Sequence, residues 1–283
     1  MREQKRVAAI HDISGFGKCS ITVALPIISA AGIETSVIPT AVLSTHTGGI
    51  DGFTYRDLTD DILPIAEHWK ALELGFDAIY TGFLGSFRQL DIVAEICEML
   101  KDDDTLIVVD PVMADFGELY KVFPKNFPDG MKKLCAKADV MVPNMTEAAL
   151  LLGREYHKGP YEKTYIEDML RALSRLGPDK VVLTGVYFDN DKLGAAAFDK
   201  NTDSVEYMLS RRIEGQYHGT GDVFGSALLS ALMSGKSLSD AAGIAVEFTV
   251  RSIERTRKAG TDVRFGVNFE SELPYLIRSL GLC

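Results

Sequence analysis

Cysteine is scarce in this chain: four residues in 283, at positions 19, 97, 135 and 283. Their separations fit neither a zinc ligand pair nor a redox Cys-x-x-Cys, so no disulfide framework or zinc site organises the fold. Reduced, packing thiols are expected instead. Basic residues are also in deficit, 30 Lys and Arg against 40 Asp and Glu, for a net charge of −10. A chain this acidic offers no field for sequence-independent nucleic-acid binding. Long apolar runs are missing too. The longest, residues 23–33, is interrupted by Pro26 and Ser29 and falls short of the roughly 18 residues a membrane span needs. The opening residues 1–6 are charged, with no signal-type apolar segment after them, so no membrane partner is expected and the cytoplasm is the expected location. What the chain does have is apolar content, 46% of residues, enough for a sizeable core. The length suits one large α/β domain, read here as residues 1–283.

Short β-rich runs alternate with helical ones. Strands are expected over 5–10, 34–42, 77–81, 105–110, 140–142 and 180–184. A turn is expected at 12–17. Helices are expected over about 18–31, 90–100, 147–152 (ending at Gly153 as a C-cap), 161–176 and 238–253. Tyr55, Leu58, Ile62, Ile65, Trp69 and Leu72 recur every three or four residues, which predicts an amphipathic helix containing Pro64. Residues 192–198 and 204–209 read as an antiparallel pair. The pattern predicts an α/β fold: a mainly parallel central sheet flanked by helices on both faces, with a small antiparallel edge. In such sheets ligands bind at the carboxyl ends of the strands.

The stretch richest in chemistry is Gly219-Thr220-Gly221-Asp222, followed at once by an apolar helical run. Two glycines allow a sharp turn and close approach to a ligand. The turn lies at a helix N-terminus, where free N–H groups and the dipole attract anions. Asp222 adds a carboxylate at the same place. An anion hole beside a base is what phosphoryl transfer to a hydroxyl requires, although a plain helix cap has the same local form. Further upstream, Asp110-Pro111-Val112-Met113 closes an apolar strand with an acid. Pro143-Asn144-Met145-Thr146-Glu147 opens a helix with an amide and an acid. Asn144 and Thr146 also suit capping. Together Asp110, Asn144 and Glu147 suit a Mg²⁺–phosphate cluster, since hard cations take oxygen ligands.

The order of these segments, with Val181-Val182-Leu183-Thr184-Gly185 between them and a glycine-rich turn near the N-terminus, resembles the ribokinase superfamily. The likeness extends along essentially the whole chain. Leu43-Ser44-Thr45-His46-Thr47-Gly48 resembles the Phe-Ser-Asn-His-Thr-Gly segment of pyridoxal (vitamin B6) kinases, and Thr81-Gly82-Phe83 their Thr-Gly-Tyr segment. The resemblance implies a ribokinase-like fold and ATP-dependent phosphorylation of the 5′-hydroxymethyl group of pyridoxal, pyridoxine or pyridoxamine. It implies Asp222 as catalytic base and Gly219, Thr220 and Gly221 as anion hole. It implies Asp110 and Glu147 as the residues that orient magnesium, and Asn144, Glu147, Thr184 and Gly185 along the nucleotide. His46, Thr47 and Phe83 would border the substrate ring. Mg²⁺, often a monovalent cation such as K⁺, and a homodimer also follow from the resemblance.

Departures from the family pattern leave alternatives. The family's N-terminal Ser-His pair is here His11-Asp12, and residues 11–15 also resemble the Gly-Ser-Asp-x-Ser-Gly turn of hydroxymethylpyrimidine kinases. Asp12 and Ser14 are therefore candidates for ring recognition. Two alternatives stand beside the B6 reading: a hydroxymethylpyrimidine kinase of thiamine synthesis, and a catalytically silent B6-binding regulator. Phe83 replaces the family Tyr and lacks its hydroxyl. His218 is read as an ordinary histidine rather than a phosphate contact. Arg211 and Arg212 are read either as a phosphate clamp or as a solvated pair, Cys19 as packing, and Trp69 as core or dimer surface.

Overall fold

The computed structural model describes residues 4–282; Cys283 and the first three residues of the charged opening lie outside the described residues. The chain runs β1 (Arg6–Phe16), α1 (Ile21–Ala30), β2 (Glu34–Thr45), β3 (Tyr55–Asp57), α2 (Thr59–Ala71), β4 (Ala78–Thr81), α3 (Phe87–Leu100) and β5 (Leu106–Val109). A small hairpin, β6 (Ala114–Asp115) and β7 (Glu118–Leu119), leads to α4 (Phe127–Cys135), β8 (Val140–Met141), α5 (Met145–Leu152) and α6 (Lys163–Ser174). The remainder is β9 (Lys180–Val186), β10 (Lys192–Asp199), β11 (Ser204–Arg211), α7 (Thr220–Met233), α8 (Leu238–Ala259) and α9 (Leu273–Leu280).

Nine strands form one sheet in the order β11-β10-β9-β8-β5-β4-β1-β2-β3. The six from β9 to β2 are parallel. Both edges are antiparallel: β10 and β11 on one side, as expected, and β3 on the other. Alternation along β1 divides its side chains between two cores. Ala8 and Ile10 pack with Ile62, Val93, Met131, Ala148 and Leu170 of α2 to α6. Val7 and Ala9 pack with Ile27, Leu228, Phe248 and Leu276 of α1, α7, α8 and α9. A parallel sheet covered on both faces reads as continuous apolar strands, and these do.

Three expectations need correction. Residues 12–16 are not a turn; β1 continues through Phe16, with an irregular register against β2 after His11. The first helix begins at Ile21 rather than near Lys18, because Lys18 N–H donates to the Phe265 carbonyl and Ser20 sits at φ 54°. Tyr55 is not helical; it lies on edge strand β3, and α2 starts where Asp57 accepts the Thr59 N–H at 2.7 Å. The stretch after Asp110 carries the β6–β7 hairpin. The expected C-cap holds: Gly153 adopts φ 63° at the end of α5.

Candidate active site

Thr81, Asp110 and Asn144 lie at or just past the carboxyl ends of β4, β5 and β8, and His46 follows β2. Asp12 and Thr184 lie within β1 and β9, past their pairing with β4 and β8, and the N-terminus of α7 rises beside them. Gly219 is the N-cap of α7 at φ 72°. A Cβ there would overlap the Lys18 carbonyl oxygen, so both the left-handed backbone and the space demand glycine. Among the described residues no side chain caps α7, which leaves its first-turn amides open to a ligand. Among the described residues nothing lies within 4 Å of the point a Cβ on Gly221 would take.

Asp222 stands in that first turn. Its side chain keeps an opening to solvent, yet the protein packed around it withholds hydration and pushes the carboxyl up to about 7. The Ser20 backbone N–H works against this rise, and the charge of Asp12 adds to it. A carboxylate tuned near neutrality is suited to proton transfer. Asp110, 7% exposed, is pushed well above the usual carboxylate range by burial, then by the charges of Glu147 and Asp222. Among the described residues none donates a hydrogen bond to its carboxylate.

Asn144 and Glu147 form a capping box on α5. Asn144 Oδ1 accepts from the N–H groups of Thr146 at 2.8 Å and Glu147 at 2.9 Å, and Glu147 Oε2 accepts the Asn144 N–H at 2.9 Å. The motif also reaches across to the segment after Asp110. Glu147 Oε1 accepts the Met113 N–H at 3.1 Å, Asn144 Nδ2 donates to Ala114 O at 2.8 Å, and Thr146 Oγ1 accepts the Gly117 N–H at 2.9 Å. Burial pushes Glu147 up to about 8, and the amides of Asn144 and Met113 oppose the rise. Both Glu147 oxygens thus engage backbone, a bracket the sequence reading missed. Asn144 forms a parallel bridge with Thr184, whose N–H donates to Pro143 O at 2.9 Å. Gly185 follows at φ 79°. The candidate nucleotide residues therefore share one ridge.

On the other side of the α7 turn, Asp12 is buried, and burial raises its carboxyl. Its Oδ2 accepts from Ser14 Oγ at 3.1 Å, while Oδ1 has no partner among the described residues. His46 is buried with both nitrogens engaged: Nδ1 accepts the Gly48 N–H at 3.1 Å, and Nε2 donates to Arg264 O. Thr47 is exposed on the same loop. Phe83 turns its ring to Phe123, 5.6 Å away between centroids. Cys19 touches the turn as well, its sulfur 3.3 Å from the Cβ position of Gly219. Burial and the charges of Asp222 and Asp12 keep it a protonated thiol. Arg211 is drawn away by Glu254 at 2.5 Å, and Arg212 stacks on Tyr187 at 4.7 Å.

Sequence reasoning also missed Ser20 and Tyr55. Ser20 bears on both Asp222 and Asp12, and burial, then the charges of Asp57 and Asp12, raise the Tyr55 hydroxyl. Only Ser20's place just after Gly15 and Gly17, ahead of an apolar run, could have drawn notice. Among the described residues no group of three His, Cys, Asp or Glu side chains could cage a metal.

The family model for phosphomethylpyrimidine kinase matches residues 23–266. The chain belongs to this family. Pyridoxal kinase of Bos taurus is 30% identical over 253 residues, covering 81% of this chain and 78% of the relative. The crystal structure of pyridoxal kinase from Lactobacillus plantarum superposes with a TM-score of 0.88 at 31% identity, over 98% of each chain. A Bacteroides thetaiotaomicron protein, provisionally assigned as a phosphomethylpyrimidine kinase and crystallised with pyridoxal, gives 0.92 at 39% identity, over 97% of this chain and 96% of that one. Within the phosphomethylpyrimidine kinase family the chain stands with the pyridoxal kinases of ribokinase-like fold.

Proposed function

We propose that this protein is an ATP-dependent kinase that phosphorylates the 5′-hydroxymethyl group of pyridoxal, pyridoxine and pyridoxamine. One observation carries the reading: Asp222 stands in the first turn of α7, on the Gly219–Gly221 amides that no side chain caps among the described residues, and its charge reaches Asp110. Asp222 takes the proton from the hydroxymethyl oxygen, which attacks the γ-phosphorus as the β–γ bridging P–O bond breaks and ADP leaves. The amides of Gly219, Thr220 and Gly221 hold the transferred group. Asn144, Thr184 and Gly185 line the nucleotide ridge.

Asp110, whose carboxylate accepts no hydrogen bond among the described residues, would hold a nucleotide-borne Mg²⁺ as a hard oxygen ligand. When bound, Mg²⁺ neutralises charge on the β- and γ-phosphates. Glu147 supports that site by bracketing the segment after Asp110. Asp12, Ser14, His46, Thr47 and Phe83 bound the acceptor pocket, with His46 shaping it through the backbone. The same reading takes residues 1–283 as one catalytic domain that pairs into a homodimer in the cytoplasm and responds to K⁺. The three free cysteines among the described residues suit a reducing compartment.

The test is ATP-dependent phosphorylation of pyridoxal, pyridoxine, pyridoxamine, hydroxymethylpyrimidine and ribose, with Mg²⁺ and with or without K⁺. Turnover of the B6 forms is expected. The family description and the free oxygen of Asp12 favour hydroxymethylpyrimidine as the second acceptor, and preference for it would overturn the B6 reading while keeping the mechanism. Silence with every acceptor, together with tight pyridoxal binding, would point to a binding protein.

A further inference from the structure

His218 precedes the Gly219 turn, and its ring reaches away from that turn toward the loop that follows β2. A Cβ on Gly48 would lie 2.7 Å from His218 Nδ1 and 2.8 Å from Cε1, and the corresponding point on Gly49 lies 3.8 Å from Nε2. The His218 and His46 rings stand 5.2 Å apart at 35°. His46 is itself locked, since its Nδ1 accepts the Gly48 N–H and its proton is directed to Arg264 O. The imidazole of His218 thus lies against the backbone of residues 48–49 and one face of His46. Burial and the neighbouring His46 both disfavour its charged form. An uncharged flat ring is what packs against glycine backbone and a second imidazole.

We infer that His218 is a positioning residue that docks the His46–Gly49 loop onto the phosphoryl-transfer turn, so that the acceptor pocket and the anion hole are held in one register. This function for the loop rests on the B6 kinase reading, but the contact does not. Gly48 is glycine because the His218 ring occupies the place of its Cβ. It has no left-handed φ among the positive-φ glycines of the chain, so alanine at position 48 is opposed chiefly by the two histidine rings, the His46 ring approaching to 3.3 Å.

The test is a double-mutant cycle on the full chain with His218→Ala, Gly48→Ala and the pair, plus His218→Phe to restore a ring without nitrogens. Amide hydrogen exchange over residues 47–52, without ligand, is the first readout. Exchange is expected to quicken in His218→Ala and to recover in His218→Phe. The second readout is steady-state kinetics. Each single variant is expected to raise the KM for pyridoxal about tenfold, a contact-scale coupling, with the KM for ATP unchanged. The pair is expected to be no worse than His218→Ala alone, because the clash has gone. Unchanged loop exchange in His218→Ala, or strictly additive effects in the pair, would overturn the inference. A wild-type protein that exchanges as expected but phosphorylates no B6 form would overturn the functional reading and leave the docking contact standing.

Discussion

The carbonyl oxygen of Lys18 occupies the place where any side chain at Gly219 would begin. This contact joins the loop before α1 to the N-terminus of α7, and its neighbourhood holds Cys19, Ser20, Asp12 and Asp222. Gly219→Ala is expected to cost stability through both overlap and a left-handed φ, of order 1–3 kcal/mol for the backbone strain alone. Gly221→Ala meets open space. It is expected to keep or raise Tm, since alanine favours helix over glycine by about 1 kcal/mol, yet to lose turnover because the methyl group covers the amides. Thermal melts and kcat on the two variants check this; equal loss of Tm in both would contradict it.

Removal of the base separates chemistry from folding. Asp222→Asn is expected to lower kcat by on the order of 100- to 10,000-fold, the usual weight of a general base. Near-normal turnover would remove Asp222 from the mechanism.

The same carboxyl sets two pH dependences. Turnover needs the deprotonated form, so kcat/KM is expected to rise with pH through about 7. Stability runs the other way. The folded-state value lies above the ordinary Asp value of about 3.9, so the native state holds a proton that the unfolded chain releases. The stability from this group is present below about pH 4 and is lost as pH rises through about 7. Asp222→Asn should therefore melt above wild type at pH 8 and match it near pH 4, and equal melting at both pH values would deny the shift.

Asp12 keeps one carboxylate oxygen without a partner among the described residues, and the proposed reading puts it in the acceptor pocket. Asp12→Asn is expected to lower kcat/KM for pyridoxamine about tenfold more than for pyridoxal, the scale of a lost charge-assisted hydrogen bond. Relative rates across the three vitamers check this; an unchanged ranking would remove Asp12 from amine recognition.

Glu147→Gln puts an NH₂ where a backbone N–H now finds an acceptor. A loss of about 1–3 kcal/mol in stability is expected from the unsatisfied amide. A raised Mg²⁺ requirement is expected too, as the segment after Asp110 loosens. Denaturant melts and Mg²⁺ titration of turnover measure both, and wild-type values in each would show that the bracket is dispensable.

Legibility in the sequence followed range. Gly219–Asp222, Asp110 and Asn144 could be picked out because each belongs to a short motif at the border of an apolar run. Tyr55 was misassigned because the spacing of its apolar neighbours suits a helix, while the edge pairing with Leu43 that makes it a strand lies outside any local window. The hairpin at 114–119 carries no alternation to read. It is held by Asn144, Thr146 and Glu147, some thirty residues away.

The sequence by itself determined the alternation of strands and helices, the parallel sheet, and the family of the chain, because apolar periodicity and short glycine or acid motifs are properties of neighbouring residues. Only the tertiary structure decided that Glu147 braces backbone, that Ser20 is bent to face two carboxylates, that His46 offers no free nitrogen, and that His218 packs on Gly48. Each depends on burial and on hydrogen bonds between segments that meet only when the sheet has closed and both of its faces are covered.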